Sequence, residues 1–221
     1  MTTAKTQPQL DIQIHGKPIK QVSEFVYLGY KLSCTNNQEV AVRYRIGLGW
    51  AAFGKHEKIL KSRRVPLHIK TKVYLSYILP VVLYGSDCVT WNKTLSSKIE
   101  VFQNHILRFL TGHRQIDKIR ITSLRDMTKT TALFDKIKSK TLKLFGHIKR
   151  STSGLSKLCL EGLVPGKRSR GRPRLRWRDN VISWSPTDNW STLNHLTQDR
   201  KTWQTISHVS SQSAAGGNSV P

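Results

Sequence analysis

Thirteen residues from Gly166 to Arg178, Gly-Lys-Arg-Ser-Arg-Gly-Arg-Pro-Arg-Leu-Arg-Trp-Arg, hold seven cations and no acid. No packed core accommodates unpaired charge at that density. The segment must face water or a polyanion, and the hydrophobic core has to be built from the residues around it. Arginine is the informative choice, because its planar fork matches phosphate oxygens and guanine edges, whereas a surface selected for solubility alone does equally well with lysine or glutamate. Lys167, Arg168, Arg170, Arg172, Arg174, Arg176 and Arg178 are therefore candidate nucleic-acid contacts. A solvated linker or a nuclear-import signal has the same composition.

The rest of the chain extends the argument. There are 37 Lys and Arg against 13 Asp and Glu, a formal charge of +24. Residues 37–150 carry 23 basic and 7 acidic side chains, residues 151–182 carry 8 and 2, and residues 183–221 balance. An anionic partner is expected, RNA or DNA held mainly through phosphate. A membrane surface is a poorer match, since no long apolar anchor flanks the basic positions and no signal-peptide pattern opens the sequence. Cys34, Cys88 and Cys159 lie too far apart in sequence for a disulfide framework or a zinc ribbon, and the eight histidines are scattered. The expectation is reduced thiols, no metal, no cofactor, and a nuclear or cytoplasmic location.

Periodicity predicts a mainly α fold. Leu10, Ile12 and Ile14 alternate with polar residues, and His15-Gly16-Lys17-Pro18 turns the chain into a second β-rich run from Ile19 to Leu32, giving one hairpin. Its Phe25-Val26-Tyr27-Leu28-Gly29 stretch is apolar on both faces and is expected to be covered on both. Helical spacing follows from Glu39 to about Ser62. Val73 to Tyr84 reads as a buried helix, kinked or ended near Pro80 and closed by Gly85, and Ser96 to about Leu110 as an amphipathic helix ended by Gly112. From about Thr130 to Arg150 the apolar stripe of Phe134, Ile137, Thr141, Leu144, Phe145 and Ile148 leaves Lys136, Lys143 and Arg150 at seven-residue spacing along the opposite face. That row has the geometry to follow a phosphate backbone and is also what an ordinary solvated helix face presents. Short helices are predicted over Trp177–Trp184 and Asn189–Ile206, and a polar tail after them.

The order of landmarks resembles one family. Phe25-Val26-Tyr27-Leu28-Gly29, Arg45-Ile46, Leu79-Pro80, Leu83-Tyr84-Gly85-Ser86 and Trp91 resemble the region after the catalytic palm in reverse transcriptases of non-LTR (LINE-type) retrotransposons. Phe102-Gln103, Leu107-Arg108, Phe145-Gly146-His147-Ile148 with Arg150, Gly171-Arg172-Pro173, Trp177, Asp179, Asp199-Arg200 and Trp203 continue in the family's order. The resemblance implies a palm-end hairpin over residues 1–36, a helical thumb-like domain over 37–150, a basic segment over 151–182, short C-terminal helices over 183–208 and a tail over 209–221. It further implies the remaining polymerase domains of a parent element as partners. The family polymerises with two metals held by aspartates, one pair of them adjacent, and the sequence has no Asp-Asp. The expected role is therefore non-catalytic gripping of a template–primer backbone, with no catalytic residue in this chain. Two alternatives stand beside it. One is a structural or protein-interaction remnant of a decayed element. The other is an AT-hook-like DNA-binding protein, since Arg170-Gly171-Arg172-Pro173 is similar to an AT-hook core that lies in a narrow minor groove.

Overall fold

The computed structural model describes residues 11–35, 37–152, 154–161 and 175–209. The described residues begin with two hairpins where the sequence predicts one. Strands β1 (Gln13–Ile14) and β2 (Lys17–Pro18) pair antiparallel across His15 and Gly16, and β3 (Glu24–Tyr27) pairs antiparallel with β4 (Tyr30–Ser33) across Leu28 and Gly29. Both loops have two residues at positive φ, 50° and 74° in the first and 46° and 76° in the second. That turn twists in the sense that adjoining antiparallel strands require. Gly29 supplies this conformation in the second loop, which β-branched residues adopt only under strain.

The β3–β4 turn is clamped from below. Tyr84 donates its hydroxyl to the carbonyl of Leu28 at 2.7 Å, Arg45 donates to the carbonyl of Gly29, and the Arg45 guanidinium lies 4.1 Å from the centre of the Tyr84 ring. A Cβ on Gly29 would stand 2.9 Å from the Arg45 guanidinium. Landmarks far apart in sequence thus form one local structure. The expectation that β3 is covered on both faces is not met. Phe25 is 53% exposed, Tyr27 58% and Leu28 75%, because the helices hold the turn and β4, whose Tyr30 packs against the core, and not the side chains of β3.

Helix α1 (Gln38–Lys55) begins where the Asn37 side chain accepts the Glu39 amide at 3.0 Å and ends at His56, whose ring bonds back to the Ala52 carbonyl. A separate short helix, α2 (Glu57–Lys61), follows, so the predicted continuous helix to Ser62 is broken. After α3 (Leu67–Val73) comes a π-helical turn over Tyr74–Ile78 and then α4 (Leu79–Leu83). The widened turn has a cause: Pro80 has no amide hydrogen to continue the ladder and its ring needs space. Gly85 at φ 67° leads into a 3-10 turn over Ser86–Cys88. Helix α5 (Lys93–Thr111) is capped by Asn92, which accepts the Leu95 amide at 2.9 Å, and stops at Gly112 with φ 76°.

Helix α6 (Ile121–Thr128) precedes α7 (Leu133–Arg150), which is followed by α8 (Leu155–Glu161), α9 (Trp177–Trp184), α10 (Trp190–Gln198) and α11 (Arg200–Val209). The single predicted helix over Asn189–Ile206 is two, because Asp199 accepts the Lys201 amide at 2.9 Å and caps a fresh start. No helix among the described residues is long and apolar enough to cross a membrane.

Two hydrophobic clusters meet along α7. The larger one joins α1 to α6 through residues such as Phe53, Tyr74, Ile78, Trp91, Phe102, Ile106 and Ile137, and the smaller gathers Leu142, Phe145, Val181, Leu193 and Trp203. Trp184 packs against both. Gly49 lets α1 approach this core closely, since a Cβ there would collide with Val82 and with the Phe102 ring. The C-terminal helices are pinned to the first cluster by polar contacts as well. Asn180 accepts the Trp91 amide at 2.7 Å and donates to the Trp91 carbonyl at 2.8 Å, and Trp177 donates to the Asp87 carbonyl at 2.7 Å. These bonds span about ninety residues of sequence, so the small cluster is held against the large one by satisfied buried groups as well as by area.

Candidate nucleic-acid interface

Helix α7 carries the central part of the candidate surface. Of its predicted apolar stripe, Ile137, Thr141 and Phe145 are buried and Phe134, Leu144 and Ile148 half-buried, yet the helix is enclosed more widely than one stripe requires, because α5 lies on one side and α9, α10 and α11 on others. Lys138 and Lys149 are consequently buried. Lys138 pairs with Asp135 at 3.2 Å, and Lys149 reaches Glu161 at 3.1 Å with its amine 4.7 Å from the Trp190 ring.

The smaller cluster explains why α11 docks where it does. Phe145 has the rings of Trp190 and Trp203 both at 5.5 Å between centroids and Trp177 at 6.4 Å. Gly146 next to it has no side chain, and the Trp203 indole fills the place where a Cβ would stand. The Trp203 indole nitrogen then donates to the Leu142 carbonyl at 2.7 Å. Arg150 closes the arrangement by donating to the Thr197 carbonyl at 2.8 Å at the end of α10.

This docking produces a cleft of about 310 Å³ between α7 and α11, lined by Lys143, His147, Arg150, Arg200, Trp203 and Gln204. Two lysine or arginine heads come from α7's outer face besides its histidine, one more comes from the first turn of α11, and no acidic residue lines the cleft. Arg200 and Lys201 occupy that first turn, directly after the Asp199 carboxylate that caps it. Chemically the arrangement is a set of donors with positive charge, with the reach and shape to take phosphate oxygens.

The predicted row is therefore divided. Lys143 is exposed and Arg150 half-buried in the cleft, whereas Lys136, which does not line it, is half-buried and its amine is held below the usual lysine range by desolvation. Of the arginine run, Arg176 and Arg178 fall within the described residues and line a neighbouring cleft of about 440 Å³ together with Trp177, Cys88 and Cys159. The Arg178 guanidinium stands 5.2 Å from the Trp190 ring. Lys167, Arg168, Arg170, Arg172 and Arg174, and with them the AT-hook-like Arg170–Pro173, lie outside the described residues. The expected tail over residues 209–221 also lies outside them, apart from the backbone of Val209. His147 and Arg200 were not among the predicted contacts. His147 was legible in principle, since it lies four residues after Lys143 on the same helix face; Arg200 joins only through the tertiary docking of α11.

No protein-family profile matches the chain, and no solved structure matches it. The chain is 28% identical, over 203 residues covering 85% of its length and 71% of the relative's, to a putative uncharacterized transposon-derived protein of Caenorhabditis elegans. That similarity supports a transposon origin.

Proposed function

We propose that this chain is the post-palm, thumb-like and C-terminal part of a non-LTR retrotransposon reverse transcriptase, and that it holds nucleic acid by the backbone without catalysing polymerisation itself. The observation that carries the reading is the α7–α11 cleft, where Lys143, His147, Arg150 and Arg200 converge without a carboxylate among the lining residues. It adjoins a chain whose formal charge is +24. The uncovered apolar side chains of β3 and its turn, Phe25, Tyr27 and Leu28, also support the reading, because a hairpin with such a face is what the margin of a larger sheet looks like when the sheet is absent. The sequence has no Asp-Asp pair of the kind by which the resembled family holds its two catalytic metals.

The test is fluorescence anisotropy of a labelled duplex titrated with residues 1–221 at several salt concentrations. Affinity should fall with salt with a log–log slope of about −0.9 per phosphate contact. The double variant Lys143→Glu/Arg200→Glu should reduce that slope and weaken duplexes of different sequence alike. Salt-independent binding, or no binding at low salt, overturns the reading. A decayed element's structural remnant is the second reading, favoured by the packing work that Phe145, Gly146 and Trp203 do without any ligand; it predicts correct folding with no such binding.

A further inference from the structure

The solvent face of α5 forms the floor of a separate groove, remote in sequence from both the arginine run and α11. Two clefts, of about 690 Å³ and about 630 Å³, adjoin along it and share Val101. At one end Arg43, Lys93 and Lys98 line the groove, and at the other Lys61, Arg108 and Arg114 do. None of the residues lining either cleft is acidic. Between the two basic ends Ile46 and Val101 give the floor an apolar stretch beside the polar Ser97, Asn104 and His105, and Phe109 at the far end remains 40% exposed beneath the Lys61 amine.

The cations are not equally committed. Arg43 and Lys98 both pair with Glu39, Lys61 pairs with Glu57, and Arg108 donates to the carbonyls of Arg114 and Ile119 at 3.1 and 3.2 Å. Those contacts fix the walls. Lys93 and Arg114 are exposed, and neither side chain has a carboxylate within 4 Å among the described residues. Lys93 stands in the first turn of α5, a turn with no acidic residue, where the helix dipole opposes a positive charge. Folding gains nothing from a lysine there.

We propose that this groove binds a single strand of nucleic acid, with phosphates along the Lys93 and Arg114 ends and bases against Val101 and Phe109. A single strand matches because its bases are free to lie on an apolar and aromatic floor while its backbone follows the cations, whereas a duplex hides its base faces and offers such a floor nothing. The helix gives the track a length of about 28 Å at about 1.5 Å per residue, enough for several nucleotides. The site deepens the nucleic-acid reading by naming a second strand path, and it does not use the α7–α11 cleft.

Residues 1–221 carrying Lys93→Glu and Arg114→Glu together provide the test, with Phe109→Leu as a second variant that keeps an apolar side chain on Phe53. Anisotropy is read with a labelled oligo(dT) or oligo(U) and, separately, with a duplex of equal length. The charge variant should lose tenfold or more in affinity for the single strand and stay within about twofold for the duplex, with a salt slope for the single strand smaller by about 0.7 for each contact removed. Phe109→Leu should lose severalfold for the single strand only. Far-UV circular dichroism and thermal unfolding should match the unsubstituted chain. Unchanged single-strand affinity in the charge variant overturns the inference, as does an equal loss for both probes. Stronger competition by poly-glutamate than by oligo(dT) would make the groove a protein site and overturn it too. If the unsubstituted chain binds neither probe at low salt, the functional reading itself fails along with this one.

Discussion

Gly146→Ala offers a sharp test of the packing between α7 and α11, because two effects of known size oppose each other there. Replacing a glycine inside a helix by alanine ordinarily stabilises by about 1 kcal/mol. At Gly146 the added methyl would enter the space of the Trp203 indole and come to 3.0 Å from the Arg150 guanidinium. Trp203 is 2% exposed and sits against Phe145, so it has no empty space to retreat into. Overpacking of this kind costs roughly 1–3 kcal/mol, and displacing the indole also endangers its bond to the Leu142 carbonyl, worth about 1 kcal/mol. The clash wins, leaving a net loss of about 1–3 kcal/mol and, for a chain of this length, a melting temperature lower by roughly 2–4 °C per kcal/mol. Gly47→Ala is the internal control. It lies in α1, is exposed, and has nothing within 4 Å of the position its Cβ would take, so the propensity gain acts alone and the chain should become more stable by roughly 0.5–1 kcal/mol. Urea unfolding followed by tryptophan fluorescence reads both. Stabilisation of Gly146→Ala to the extent seen for Gly47→Ala would refute the account of how α11 docks.

Asn180→Ala strips both partners from the buried Trp91 backbone groups and should destabilise by roughly 2–5 kcal/mol, measured by the same unfolding curves; a loss under about 1 kcal/mol would mean that water replaces the amide without cost. The hydrogen bond from Thr202, joined by that from the Lys201 amide, holds the Asp199 carboxyl below its ordinary value of 3.8. Its contribution is therefore fully present above about pH 4 and lost as the pH falls through the lower folded value, so Asp199→Ala should lessen the acid-side dependence of stability, checked by unfolding at a series of pH values. Burial pushes the Tyr74 phenol well above its ordinary value of 10.0. The unfolded chain ionises first, so stability should decline as the pH rises above about 10, and Tyr74→Phe should delay that decline in an alkaline titration followed by circular dichroism.

Much of the helical frame is legible from local signals. The Ile99, Phe102, Ile106 and Leu110 stripe is buried as its spacing requires, and Gly112 ends α5 in the left-handed conformation expected of a glycine stop. The breaks are less legible. His56 and Asp199 interrupt apolar patterns that continue across them, and only the bonds they make reveal the interruption. The hairpins illustrate the opposite limit: His15-Gly16 and Leu28-Gly29 are both turn signals, but choosing between one long hairpin and two short ones requires knowing that Arg45 and Tyr84 reach up to hold the second turn. For the candidate site, charge density and seven-residue spacing point to Lys136, Lys143 and Arg150 alike, and only the docking of α11 shows that Lys143 and Arg150 line the cleft while Lys136 stands away from it.

The segment Phe145–Arg150 shows why a short string of residues can serve packing and ligand contact together. Phe145 fills the centre of the small cluster, Gly146 admits Trp203, Lys149 neutralises Glu161 beneath Trp190, and Arg150 ties α7 to the end of α10. Each of these has a structural reason to be what it is. His147 and Arg200 are both exposed. Packing accounts for the string's spacing and does not call for these two side chains, and both line the same cleft. A structural remnant would carry them simply as surface residues, whereas a chain that grips phosphate would use donors where the scaffold is most rigid, beside a docked tryptophan and an anchored arginine. The discriminating evidence in this fold therefore lies less in the landmarks that hold it together than in the polar residues those landmarks present.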